Sequence, residues 1–259
     1  MRDDRIMVMQ ASDAASDVRN SHPEDVVAGQ IGAALPQQLS HLDIDIDYHG
    51  LDVTAASFAQ VMTGRHDRGT PARRRMDSDE ASNILLYMTG HGGDGFLKFH
   101  DVEEMGAEDV ARIINDMAVR RRYKEMLVFI DTCQAETIFE LITAPRVTVV
   151  SSSQRGENSY ASSTNSSIGV PPSDRFTLSI VHYLSRRPPL PGTRHTVRDL
   201  MRQMDPHFLF STVTARMSPG ARRPEEIYLS EFFAPPSLQP RVSAGTEVDN
   251  DHILRATTR

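Results

Sequence analysis

A second cysteine is what this sequence most conspicuously lacks. With Cys133 alone among 259 residues, an internal disulfide and a cysteine-based zinc site are both excluded. The thiol is left three roles: a small buried apolar group, a reactive nucleophile, or half of an intermolecular bridge. No apolar run approaches about 18 residues, so no membrane-spanning helix is expected. The opening Met1-Arg2-Asp3-Asp4-Arg5-Ile6 does not read as a signal peptide, because an acidic pair stands where the apolar stretch should begin. Basic excess is missing too. There are 28 Lys and Arg against 35 Asp and Glu, a net charge of -7, which leaves no electrostatic footprint for nucleic acid or an anionic membrane. The two arginine triplets, Arg73-Arg74-Arg75 and Arg120-Arg121-Arg122, read as a solvated loop and a helix end.

What is present suits one α/β core. Hydrophobic residues make up 39% of the chain, enough for one domain of this length and too little chain for two large ones. Three apolar runs of strand length stand out: Ile84-Leu85-Leu86-Tyr87-Met88-Thr89, Met126-Leu127-Val128-Phe129-Ile130 and Val147-Thr148-Val149-Val150. Between them, Val110, Ile113, Ile114 and Met117 recur at helical spacing, and a helix is expected over 135–142. Buried strands alternating with helices imply a mostly parallel sheet with helices on both faces. A short strand is expected at Ile6–Met9 and a helix around 24–34. Thr54 is the expected N-cap of a helix reaching Thr63. Later helices are expected over 174–184 and 197–204, and strands over 208–215 and 227–233. The domain is expected to cover 1–234, with 235–259 polar, aperiodic and disordered.

In a parallel sheet, chemistry gathers beyond the carboxyl ends of the strands. His91, Cys133 and Ser151-Ser152-Ser153 each follow such an end. His91 alone reads as a structural histidine, and Cys133 alone as a core residue. Together on neighbouring strands they satisfy thiol chemistry, which needs a base beside a sulfur that is only a few per cent ionised at neutral pH. Gly90-His91-Gly92-Gly93-Asp94-Gly95 also matches the G-x-G-x-x-G spacing of dinucleotide sites, but Phe96-Leu97-Lys98-Phe99 alternates like a strand where that motif needs a helix. The glycines have another use: room for a substrate backbone, and a Gly92 amide free to meet a developing oxyanion.

Asn83 through Phe99, with its Thr-Gly-His-Gly-Gly-Asp-Gly-Phe-Leu-Lys-Phe core, and Phe129-Ile130-Asp131-Thr132-Cys133-Gln134 resemble the GPI-anchor transamidase catalytic subunits, relatives of legumain in the caspase-like clan. The resemblance continues through Ser152-Ser153-Gln154, Ile168-Gly169-Val170, Asp174-Arg175 and Leu229-Ser230-Glu231-Phe232-Phe233. It implies a caspase-like three-layer sandwich, lacking the family's first strand and the asparagine that strand carries. By the same resemblance, Cys133 is the nucleophile, His91 the base, and the Gly92 and Cys133 amides the oxyanion hole. Ser152, Ser153 and Asp174 would shape the substrate pocket. The substrates implied are precursor proteins with carboxyl-terminal GPI signals and the GPI lipid, and the partners are the other subunits of the complex, at the lumenal side of the endoplasmic reticulum. A legumain-like hydrolytic peptidase and an inactive, truncated relative are the alternatives.

The alternating Leu42-Asp43-Ile44-Asp45-Ile46-Asp47 puts three carboxylates on one strand face. Read as residues, that is a solvated edge. The resemblance implies instead a structural calcium ion held by Asp45, Asp47, Asp3 and the Ile6 carbonyl, with no cofactor for catalysis. At Ser16 the family commonly places a cysteine that bridges to a partner, so association here is expected to be non-covalent.

Overall fold

A computed structural model of the chain describes residues 5–11, 18, 46–100, 102–162, 171 and 173–233. The expected helix near 24–34, position 16, most of the loop over 162–172 and the expected tail lie outside the described residues.

The central element is β7 (Glu125–Asp131), buried along its whole length. It lies between β3 (Asn83–Thr89) and β8 (Val147–Ser151), parallel to both. The outer strand β9 (Thr214–Met217) runs antiparallel to β8, giving the order β3-β7-β8-β9. Because side chains alternate along a strand, β7 feeds two cores. Met126, Val128 and Ile130 join the cluster that holds Val110, Ile114 and Met117 of α2 (Ala107–Val119) and Phe58, Val61 and Met62 of α1 (Ala55–Thr63). Leu127 and Phe129 join Phe176, Ile180 and Tyr183 of α3 (Arg175–Arg186) and Leu200 of α4 (Val197–Met201). The sheet is thus covered by helices on both faces, as the alternation of buried strands and helices implies.

Several expectations hold at residue level. Thr54 caps α1, its hydroxyl accepting from the Ser57 amide at 3.0 Å, and the helix ends at Thr63. Phe96–Phe99 is β5, paired antiparallel with β4 (Gly92–Gly93) and β6 (Glu103–Gly106), so the strand that spoils the dinucleotide motif is real. The early strand is shorter than expected: β1 (Met9–Gln10) pairs parallel with β2 (Tyr48–His49).

Three expectations fail. Residues 208–215 are not one strand, because Asp205 caps a short helix α5 (Pro206–Leu209) with proline at its start, and β9 begins only at Thr214. Over 227–233, Ser230–Phe233 is helical (α6) and lays Phe233 against Phe129, ring centroids 6.1 Å apart. Short apolar runs carry no periodicity to separate helix from strand, and packing on the α3 face decides. The helix expected over 135–142 is a 3-10 helix, Ala135–Phe139. Among the described residues no helix is long and apolar enough to cross a membrane.

Candidate active site

Register fixes the first relation of the site. Thr89 of β3 and Asp131 of β7 are cross-strand partners, and the Gly90 amide donates to the Asp131 carbonyl at 3.2 Å. His91 and Cys133 each stand two residues beyond this pair, so parallel pairing alone brings imidazole and thiol to neighbouring positions on one rim. His91 is exposed and Cys133 half-buried, its thiol 3.9 Å from the Ser159 carbonyl.

Each loop is then locked. Gln134 adopts the left-handed conformation, φ 54°, which turns the chain sharply after Cys133. A non-glycine residue is strained there. The turn is held by the Gln134 amide donating to the Glu157 carbonyl and by the Gln134 side-chain oxygen accepting from the Gly156 amide, both at 2.9 Å. On the histidine side, the Lys98 amide donates to the His91 carbonyl at 2.8 Å. Thr137 joins the two loops: its hydroxyl accepts from the Gly95 amide and donates to the Gln134 carbonyl, each at 2.7 Å. Arg155 spans the same gap, pairing with Asp94 of the histidine loop and with Glu140 at 2.7 Å.

Gly92 is required for space. A Cβ there would lie 2.5 Å from both the Phe96 carbonyl oxygen and the Thr132 hydroxyl, and the first of these is fixed backbone. Gly92→Ala should therefore cost roughly 2 kcal/mol of stability and displace the histidine loop from Cys133. Denaturant unfolding together with the rate of Cys133 alkylation by a peptide probe would check both; an unchanged alkylation rate would show that the loop tolerates the methyl group.

Ser152 and Ser153 are fully buried. Ser153 donates to the Thr132 carbonyl at 2.7 Å and accepts from the Ala135 amide at 3.0 Å, so its hydroxyl braces the cysteine turn from within. The Ser152 hydroxyl lies 3.4 Å from the same carbonyl. Asp174, half-exposed at the start of α3, does reach the rim: its carboxylate accepts from the Thr89 hydroxyl at 2.6 Å.

Asp131, to which the sequence pattern assigned no role, is a carboxylate strongly perturbed by its surroundings. It is 1% exposed, and its carboxylate accepts from the Ser159 hydroxyl at 2.5 Å and from the Thr177 hydroxyl at 3.3 Å. Burial pushes its pKa up to about 6; the Ser159 hydrogen bond opposes this and the Asp174 carboxylate adds to it. Tyr87, hydrogen-bonded to Thr177, is held above the usual phenol range by burial and then by Asp131. The readable signal was a carboxylate closing an apolar strand on the Leu127 and Phe129 side, toward α3.

Of the expected calcium ligands, Asp3 and Asp45 lie outside the described residues. Asp47 is buried, with one carboxylate oxygen accepting from the Val8 amide at 3.0 Å, an oxygen donor of the kind a hard cation takes. Among the described residues no three His, Cys, Asp or Glu side chains gather as a metal site.

Comparison with known proteins adds the following. The sequence profile of the peptidase C13 family matches residues 1–197. A GPI-anchor transamidase of Schizosaccharomyces pombe is 38% identical over 231 residues, which is 89% of this chain and 60% of that protein. The Homo sapiens GPI-anchor transamidase is 36% identical over 231 residues, 89% of this chain and 57% of that one. That of Saccharomyces cerevisiae is 35% identical over 232 residues, 90% and 55%. The chain thus spans 55% to 60% of these relatives' own length. Among solved structures, caspase-1 from Spodoptera frugiperda aligns with a TM-score of 0.40 at 12% identity, covering 64% of this chain and 69% of that one.

Proposed function

The chain belongs to the peptidase C13 family, and from that premise we propose that it is the catalytic subunit of a GPI-anchor transamidase. The observation that carries the chemistry is the shared register of β3 and β7, which sets His91 and Cys133 two residues past one cross-strand pair.

In the proposed reaction, Cys133 Sγ attacks the carbonyl carbon at the attachment site of a precursor protein while His91 takes the thiol proton. The tetrahedral oxyanion meets the Gly92 and Cys133 amides. Collapse breaks the C–N bond, and His91 returns its proton to the departing amine of the signal peptide. A thioester on Cys133 remains. The ethanolamine amine of the GPI lipid attacks it, giving an amide and regenerating the thiol. Asp174 faces the attachment-site residue, while Ser152 and Ser153 act on the substrate only through the turn they brace. Asp47, with Asp45, Asp3 and the Ile6 carbonyl, would hold a structural calcium whose charge offsets that of the carboxylates. No chemical step passes through it. The reading places the chain at the lumenal side of the endoplasmic reticulum with the other transamidase subunits.

Hydrolysis by the same pair is the rival, and the acceptor separates the two. Incubating the full chain with a GPI-signal peptide and hydrazine, a small amine acceptor, is expected to yield the peptide hydrazide. Free acid alone, with hydrazine present, would assign the chain to hydrolytic peptidases.

A further inference from the structure

Beside the cysteine turn lies a cluster of exposed aromatic rings that neither the pair nor the pocket uses. Tyr160, Phe208 and Phe210 are 42%, 47% and 62% exposed. Single exposed aromatics are ordinary on a protein surface; a contiguous group beside a reactive thiol is not. Tyr160 meets Phe210 edge to face, centroids 5.8 Å apart. Arg175 lies over Phe210 at 4.5 Å and over Phe208 at 5.7 Å, with its nitrogens donating to the Phe208 carbonyl at 2.8 Å and the Ala161 carbonyl at 3.1 Å. Phe210 is held in the left-handed conformation, φ 57°, strained for a bulky residue. An exposed ring kept at such a cost calls for an explanation other than core packing.

The ledge is built into the rim. Tyr160 follows Ser159, whose carbonyl lies 3.9 Å from the Cys133 sulfur and whose hydroxyl binds Asp131. Ser211, next to Phe210, donates from a buried position to the Ser152 carbonyl at 2.7 Å. Thr212 donates through its amide and hydroxyl to Glu157, each at 2.8 Å, and the Glu157 carbonyl anchors the Gln134 turn.

Strand order tells which half of a substrate meets it. In the proposed reaction His91 protonates the departing amine, so the leaving half lies toward β3. The order β3-β7-β8 then puts the acyl half on the far side of Cys133, toward β8, whose end carries Ser152 and the ledge. We infer that Tyr160, Phe208 and Phe210 form a subsite for an aromatic or branched apolar side chain among the few residues before the scissile bond. This rests on the nucleophile assignment of Cys133. The Arg175 guanidinium, occupied by two carbonyls, leaves the rings as the surface on offer, and ring edges and faces favour an apolar partner.

The test uses the full chain and peptidyl chloromethyl ketones ending in serine, with Gly-Gly before it or with phenylalanine replacing either glycine. The Cys133 sulfur displaces chloride and forms a thioether, so no GPI acceptor is needed. For the wild type, the better phenylalanine probe should alkylate Cys133 about tenfold faster than the Gly-Gly probe. Phe210→Gly removes the ring at a backbone conformation glycine prefers, and should bring that ratio below about twofold, each rate being normalised to iodoacetamide in the same variant. Tyr160→Leu should lower the ratio partway, and stands in if the glycine variant melts early. A wild type without preference, or variants that keep it, would overturn the subsite while leaving the pair intact. If no peptide probe labels wild-type Cys133 although iodoacetamide does, the nucleophile assignment fails and the subsite with it.

Discussion

Cys133→Ala should lower hydrazide formation from a GPI-signal peptide by about 10⁴-fold or more, and His91→Ala by a similar factor. The distinguishing result is the double variant. If His91 acts only by moving the Cys133 proton, removing both costs no more than removing the thiol alone, because groups that act as a unit are not additive. A double variant slower by the product of the two factors would mean that His91 serves the reaction independently of the thiol. Neither loss should be traced to unfolding. Cys133 is half-buried, with a long thiol contact at 3.9 Å, and His91 is exposed. Thermal melts of the single variants should lie within a few degrees of wild type, and the measurement that counts is the initial rate of hydrazide release at saturating peptide.

The neighbouring placement of His91 and Cys133 was legible because it depends on things a sequence displays: two buried runs of strand length, and the residue types that follow them. The α1 cap was legible for the same reason, since Thr54 and Ser57 act on neighbours three residues away. What escaped depends on three dimensions. Ser152 and Ser153 follow a strand just as His91 and Cys133 do, yet β8 ends deeper, and both hydroxyls turn inward against the turn at Thr132. The Arg155 clamp joins residues 61 apart in sequence, a contact no local pattern announces. At Ser230–Phe233, an apolar run read as strand becomes helix because Phe232 and Phe233 pack on the α3 side of the sheet. Asp131 shows the sharpest limit. Its place at the strand end is plain in the sequence, but its burial requires α3, which brings Thr177 and Asp174 to it from more than 40 residues away.

Asp131 in turn makes a prediction about stability that is opposite in sign to that of most paired carboxylates. In the unfolded chain its pKa returns to about 3.9, while in the fold it stands near 6. Between these values the folded state binds the extra proton, so stability falls as pH rises through the window. Below about pH 4 the group is neutral in both states and imposes nothing. Above the folded value, near 6, the fold carries a buried charge; a shift of this size corresponds to roughly 3 kcal/mol. Asp131→Asn keeps the shape and can still pair with Ser159 and Thr177, but cannot ionise. The variant should match wild type to about 1 kcal/mol near pH 4 and exceed it by roughly 3 kcal/mol at pH 7.5. Urea unfolding of both proteins across this range isolates Asp131 and the groups coupled to it, because titrations that do not interact with it cancel in the difference. A constant difference would place the Asp131 pKa at its ordinary value. The functional consequence follows from position: Asp131 is two residues from the thiol and shares its surroundings with the Asp174 carboxylate. A buried charge tolerated at a cost of stability, two residues from Cys133, is what a strand end selected for packing alone would avoid, and it accords with the proposed role of that thiol.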